Sequence, residues 1–306
     1  MPYVFPSGIQ VFERGWLSSN NILLVGKDES ALIDSGYGTH SAQTLQLVQS
    51  ALGSRPLDVL LNTHLHSDHC GGNAALQAQY PGVRTWIPPG HAAEVARWDM
   101  SALTYEATGQ ECPRFRYDDL LVPGKSVTIA HQVWEVHPAG GHDPHSVVLF
   151  QPENGILVSA DALWEEGFGV VFPELEGVDA FDEVSATLDL LESLHPKVVI
   201  PGHGRPFTDA AKSLQTARGR LRYFMENPHK HQQYAAKVLL KFKLLDLQTC
   251  MLHELLEWGQ QTPYLEQMRK EWYPDLSMDA LIETLLADLV RSGAAVRQGQ
   301  YILNGK

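Results

Sequence analysis

Over its first two hundred residues the chain alternates short apolar runs with longer amphipathic stretches, and Gly, Pro, Asp or His closes most of the runs. "NILLVG" (21–26) and "SALIDSG" (30–36) have strand length, and the second ends at Asp34. "SAQTLQLVQSALG" (41–53) carries apolar residues three and four apart and stops at Gly53, which predicts a helix. "LDVLLN" (57–62) is a continuous apolar run of buried-strand type, and it delivers the chain into "THLHSDHCGG" (63–72). "VRTWIP", "SVTIA", "VWEVHPA", "SVVLFQ", "GILVSAD" and "KVVIPGH" are further strand candidates. A helix fits "AFDEVSATLDLLESL" with a stop near Pro196, and another runs through "RLRYFMEN" and ends before Pro228. The pattern is that of an α/β body.

The last part of the chain reads differently. Helical runs around "YAAKVLLKF", "TCMLHELLEWG" and "SMDALIETLLADLVRSG" precede "AAVRQGQYILN", a hairpin pattern with Gly299 at its turn. Helices followed by a terminal hairpin suggest a winged-helix-like module. The expected division is therefore 1–228 for the body and 229–306 for the helical tail. Winged modules often bind DNA, but from Lys230 to Lys306 nine basic residues face nine acidic ones. A neutral surface argues against DNA and for packing, homodimer formation or partial cover of a site. The segment from Pro88 to Leu120 exceeds a simple connector and carries Trp98, Met100, Tyr105, Phe115 and Tyr117, the make-up of a lid over a pocket.

Composition narrows the class. With 306 residues, 44% apolar and 19% charged, the chain is ordinary for a globular protein with a large core. The first ten residues lack the pattern of a signal peptide, and no apolar run is long enough to span a membrane. Cys70, Cys112 and Cys250 are odd in number and far apart in sequence, a poor disulfide framework. A reduced, cytoplasmic protein with no membrane contact is expected. The net charge of −13 speaks against a general nucleic-acid binder. The charge is uneven, however. Between Lys212 and Lys243 eight basic residues meet only Glu226, leaving +7 there and −20 elsewhere. That stretch is either a solvated helix face or a site for an anionic substrate group.

His64, His66, Asp68 and His69 fall within six positions at the end of a strand candidate. In an extended loop residues two apart point the same way, so His64 and His66 can present imidazoles to one point while Asp68 and His69 face another. Imidazole mixed with carboxylate suits Zn, Fe or Mn better than Ca or Mg. "THLHSDHCGG" resembles the HxHxDH signature of the metallo-β-lactamase superfamily, whose glyoxalase II-like members share the Gly-Gly that follows. Further motifs occur in the family's order: Asp34 in "LIDSG", His142 in "GGHDPHS", Asp161 in "VSAD" and His203 in "PGHG". The resemblance covers roughly residues 10 to 207.

The resemblance implies an αββα sandwich with the site at one edge of two sheets, joined here to the C-terminal winged-helix-like domain. It implies two divalent metals, zinc first and iron or manganese next. One would take His64, His66 and His142, the other Asp68, His69 and His203, with Asp161 bridging. A hydroxide held between the metals would cleave a thioester or related acyl ester, as in glyoxalase II. Asp68 or a metal-bound water is the candidate proton donor to the leaving group, and Asp34 would orient a ligand imidazole or hold the loop. Cys70 reads as a small buried thiol, since the expected ligands are already present. His145, Arg218 and Arg222 are candidate contacts for an anionic acyl substrate, and Trp164, Phe168 and Phe172 for an aromatic rim. An RNA-cleaving phosphodiesterase and an iron-dependent sulfur dioxygenase are the alternatives on the same scaffold.

Overall fold

The structure is a computed structural model describing residues 3–305; Met1, Pro2 and Lys306, at the ends of the expected domains, lie outside them. The first sheet has six strands in chain order: β1 (Ile9–Phe12), β2 (Asn21–Val25), β3 (Ser30–Ile33), β4 (Val59–Leu61), β5 (Arg84–Ile87) and β6 (Asp119–Leu120). The first three are antiparallel neighbours and β3 to β6 run parallel. Among these strands lie α1 (Ser41–Leu52), α2 (Ser67–Cys70), α3 (Asn73–Gln79), α4 (Ala92–Arg97) and α5 (Tyr105–Thr108). The second sheet is formed by β7 (Ser126–Ile129), β8 (Gln132–Pro138), β9 (Val147–Gln151), β10 (Ile156–Ala160) and β11 (Val198–Pro201), in the order β11-β10-β9-β8-β7. Helices α6 (Phe172–Leu175) and α7 (Phe181–Ser193) connect β10 to β11, and α8 (Ala210–Glu226) follows.

Side-chain alternation explains the layering. Ile22, Leu24, Ala31, Ile33, Val59 and Leu61 of the first sheet share one buried cluster with Trp134, Val136, Leu149, Ile156, Val158 and Ile200 of the second. The intervening Leu23, Leu32 and Leu60 point the other way, onto Val48 and Leu52 of α1 and Leu76 of α3. Strands buried on both faces lose the polar alternation of a half-exposed sheet, which is why β4, Val59–Leu61, is apolar throughout. On the far side α7 buries Val184, Leu188 and Leu191, and Thr187 Oγ1 donates to the Gly140 carbonyl at 2.8 Å, just past β8. The layers are those of an αββα metallo-β-lactamase sandwich.

The described residues divide into two compact units, 3–103 with Cys112–Arg222, and Thr104–Glu111 with 223–305. The second unit contains α9 (Pro228–Leu247), β12 (Thr249–Met251), α10 (Leu252–Gln261), α11 (Pro263–Trp272), α12 (Met278–Arg291), β13 (Ala295–Gln298) and β14 (Tyr301–Asn304). The hairpin turns at Gly299, φ 63°, and β12 adds to it in the order β12-β14-β13. Two details depart from the sequence reading. Thr249–Met251 is a strand pairing with Tyr301–Leu303, not the start of a helix. Helix α11 is absent from the sequence reading; Pro263 opens it from its first turn, where a missing N–H costs nothing, and Tyr264, Leu265 and Met268 are buried behind it. Within this unit the Trp258 indole donates to the Gly109 carbonyl at 3.3 Å, holding the early segment 104–111. No helix among the described residues is long and apolar enough to cross a membrane.

Candidate metal centre

Strand ends build the site. Asp34 follows β3, His64 lies three residues past β4, His142 sits in the β8–β9 loop, Asp161 follows β10 and His203 follows β11. His66 enters α2, which carries Asp68 and His69. The two sheets are tied at this edge by Val147 N to Thr63 O at 2.8 Å and Asn20 N to Gly202 O at 2.6 Å.

Two donor groups result. His64, His66 and His142 form one, and Asp68, His69, Asp161 and His203 the other; in each, every ligand atom lies within 4.8 Å of the rest. In the first, His66 Nδ1 is 3.1 Å from His64 Nε2 and 2.8 Å from His142 Nε2. In the second, Asp68 Oδ2 is 3.0 Å from His203 Nε2, and Asp161 Oδ1 is 3.5 Å from His69 Nε2. Asp161 Oδ2 stands between the groups, 3.4 Å from His142 Nε2 and 3.8 Å from His203 Nε2. Gly202 must be glycine, because a Cβ there would run into the Asp161 carboxylate.

The surroundings fix which nitrogens face inward. His142 Nδ1 meets the Val170 carbonyl at 2.5 Å and must donate there, which leaves Nε2 as a lone pair facing the site. Asp34 accepts from His69 Nδ1 at 2.7 Å, Thr63 N at 2.9 Å and Thr63 Oγ1 at 2.8 Å. With the proton on Nδ1, His69 Nε2 is a buried acceptor without a hydrogen-bond partner. A cation satisfies such an atom.

Electrostatics distinguish the two groups. Burial, reinforced by His69, His66 and His142, holds His64 well below the ordinary histidine range. Burial and His142 bring His66 down to about 4, so both are neutral, as ligands must be. For His69 burial pulls the same way, but Asp34, Asp161 and Asp68 outweigh it and raise the group well above its usual value. His203 is raised despite burial by Asp161 and Asp68. Against burial, His203 and His69 hold Asp161 well below the usual carboxylate range. The second group is thus an excess of buried carboxylate seeking positive charge, and its oxygen–nitrogen donors suit a borderline divalent ion.

The remaining sequence candidates divide between the site and its surroundings. His145 is an exposed rim residue whose N–H donates to Asp143 Oδ1 at 2.8 Å and whose ring meets His91 edge-on at 4.4 Å. Arg218 is held by Asp189 at 2.6 Å and Glu192 at 2.7 Å on α7, not by the metal groups. Arg222 is exposed on α8. Phe172 packs edge-on against His66 and His142, and the Trp164 indole donates to Asp161 Oδ1 at 3.2 Å. Three neighbours escaped the sequence reading. Thr63 anchors Asp34. Asp143, directly after His142, faces His66 Nε2 at 3.8 Å, though Asp-Pro reads as a turn. Trp16, 55% exposed, stacks on His203 at 5.4 Å, and no motif marks it.

Known proteins resemble the chain to different extents. The chain is 30% identical to hydroxyacylglutathione hydrolase of Anaeromyxobacter dehalogenans over 161 residues, 52% of each protein, so the match spans about half of that enzyme. It is 27% identical to the acyl-coenzyme A thioesterase MBLAC2 of Gallus gallus over 223 residues, 66% of this chain and 80% of that one. A metallo-beta-lactamase family protein of Thermus thermophilus superposes with a TM-score of 0.59 at 20% identity, covering 98% of this chain and 99% of the other, a likeness of fold alone. Residues 14–203, well over half of the sequence and all seven donors among them, match the metallo-beta-lactamase superfamily, and the chain belongs to it.

Proposed function

We propose that this protein is a binuclear metal-dependent hydrolase of thioesters, with an anionic carrier thiol as leaving group. The observation that supports it most is the position of Asp161 between two complete donor groups. Two divalent ions bound there would supply Lewis-acid polarisation of the acyl carbonyl and a nucleophile of hydroxide strength near neutral pH. In this reading His64, His66 and His142 hold the first ion, Asp68, His69 and His203 the second, and Asp161 both. Asp34 and the Val170 carbonyl keep His69 and His142 in the tautomers that ligate. Asp68 has a side chain 13% exposed, against 6% for Asp161 and 2% for Asp34, and is the group that returns a proton to the departing sulfur. A thiol, with a pKa of about 8.5, leaves with little help, so one such carboxyl is enough. The names of the glutathione- and coenzyme A-linked relatives support the same substrate class.

The test is metal analysis of the purified protein coupled to turnover of glutathione and coenzyme A thioesters, a lactone and a short RNA. Two metals per chain with thioester turnover are expected, and Asp161→Ala should lose about one metal and at least about a hundredfold in kcat, as removal of a key electrostatic group does. Full metal content and activity in that variant would remove the bridging role. RNA cleavage, or one iron with oxygen uptake, would replace the thioesterase reading.

A further inference from the structure

Cys70 and Cys112 stand 42 residues apart in the chain, yet their sulfurs are 3.7 Å from each other. Both are buried thiols, Cys70 completely and Cys112 with 7% of its surface exposed. Sequence separation hid this proximity, while the reading of Cys70 as a small buried thiol holds. Cys70 follows His69 in α2, and its thiol donates to the carbonyls of Leu65 at 3.4 Å and His66 at 3.3 Å. The sulfur therefore holds the turn that presents His64 and His66. A disulfide has its sulfurs about 2.0 Å apart, so closure asks for an approach of about 1.7 Å, shared between two side chains.

We propose that Cys70 and Cys112 are a redox modification site, oxidised by a hydroperoxide to a reversible disulfide that releases the His64–His66 turn and weakens metal retention. Cys112, the more exposed residue of the two, is the first to react. Its sulfur takes the terminal oxygen of the peroxide, giving a sulfenic acid and one water or alcohol. The Cys70 sulfur then attacks it and expels hydroxide, which leaves as water with the Cys70 proton. Two thiols lose two electrons and the peroxide gains them. In the disulfide Cys70 has no S–H, and both of its bonds to the ligand-bearing turn are lost. Cys250 is a built-in control. Burial and Glu254 push its thiol up to about 11, and its sulfur meets the Ile302 carbonyl at 3.9 Å.

The retention half rests on the metal reading above, whereas the crosslink does not, so the two are read separately. Zinc-loaded protein is treated with a small excess of hydrogen peroxide, alkylated, digested without reductant and mapped by mass spectrometry. In parallel, zinc transfer to a chromogenic chelator is timed. The expected result is a peptide linking Cys70 to Cys112, Cys250 alkylated, zinc transfer faster by at least about tenfold, as when support for a ligand is lost, and reversal by a phosphine reductant. Cys112→Ser should show neither the link nor the acceleration. Recovery of Cys70 and Cys112 as separate peptides would overturn the disulfide. A link with unchanged zinc transfer would overturn its coupling to the site, as would equal acceleration in Cys112→Ser. Protein that binds no zinc before treatment would count against the metal reading, with the crosslink still legible.

Discussion

Asp34 has a backbone φ of 57°, a region that non-glycine residues seldom occupy and that Asp and Asn tolerate best. Its carboxylate is 2% exposed and accepts three hydrogen bonds, two from Thr63 and one from His69. Asp34→Asn keeps the shape and the backbone preference but turns one acceptor oxygen into a donor. If the amide nitrogen takes the Oδ2 position, His69 must offer it the Nδ1 lone pair and shift its proton to Nε2, where a metal should bind. The expected outcome is an unchanged circular dichroism spectrum with affinity for the second metal reduced about 10–100-fold, the usual cost of losing such a partner. Equilibrium dialysis against zinc measures it, and wild-type affinity in Asp34→Asn would show that the carboxylate shapes the loop without tuning the ligand. Asp143 stands in a similar relation to His66 but at 3.8 Å, beyond hydrogen-bond length, so its hold is electrostatic.

Elements were legible where burial writes a periodicity. β3, β4, β10 and β11 are apolar runs that lead into chemistry-bearing residues, and the spacing from His64 to His69 already marks two donor points. Less was legible where tertiary contacts decide. Thr249–Met251 becomes a strand only because Tyr301–Leu303 comes to pair with it, more than forty residues later. The tautomers of His69 and His142 depend on Asp34 and the Val170 carbonyl, neither adjacent in sequence. Arg218 is the instructive case, since helical spacing put it on a face without saying what that face meets. It meets α7, where Asp189 and Glu192 engage both ends of the guanidinium. Pairs this exposed contribute about 0.2–1 kcal/mol. Arg218→Ala is therefore expected to lower stability by less than about 1 kcal/mol in urea titration and to leave KM for an anionic thioester within about twofold, since a charge-assisted substrate contact would cost about 1.5–3 kcal/mol, roughly tenfold or more. A tenfold rise in KM would return Arg218 to the substrate.

At the scale of the whole molecule the question is what an anionic thioester meets on approach. The chain carries a net −13, and of the eight basic residues in its basic stretch three are ion-paired and a fourth is bound to uncharged oxygens. Arg218 serves α7, Lys243 lies 3.4 Å from Asp246, Lys237 lies 3.9 Å from Asp288, and Lys241 donates to Ala294 O, Asn304 Oδ1 and Gly305 O. Charges paired at close range contribute little field beyond a Debye length, about 30 Å at 0.01 M salt and about 10 Å at 0.1 M. The long-range field is then set by the unpaired acids and opposes a polyanionic carrier. Adding salt should screen that repulsion and raise kcat/KM for a coenzyme A thioester by about two- to fivefold between 0.01 and 0.1 M, a modest share of the range seen for steered association. A thioester with an uncharged carrier should change little over the same interval and serves as the control for salt effects on the site itself. If the basic stretch steers the substrate instead, the coenzyme A rate should fall with salt while the neutral one stays level. A fall of that kind would make the region from Lys212 to Lys243 an approach surface and overturn the view of it as internally neutralised.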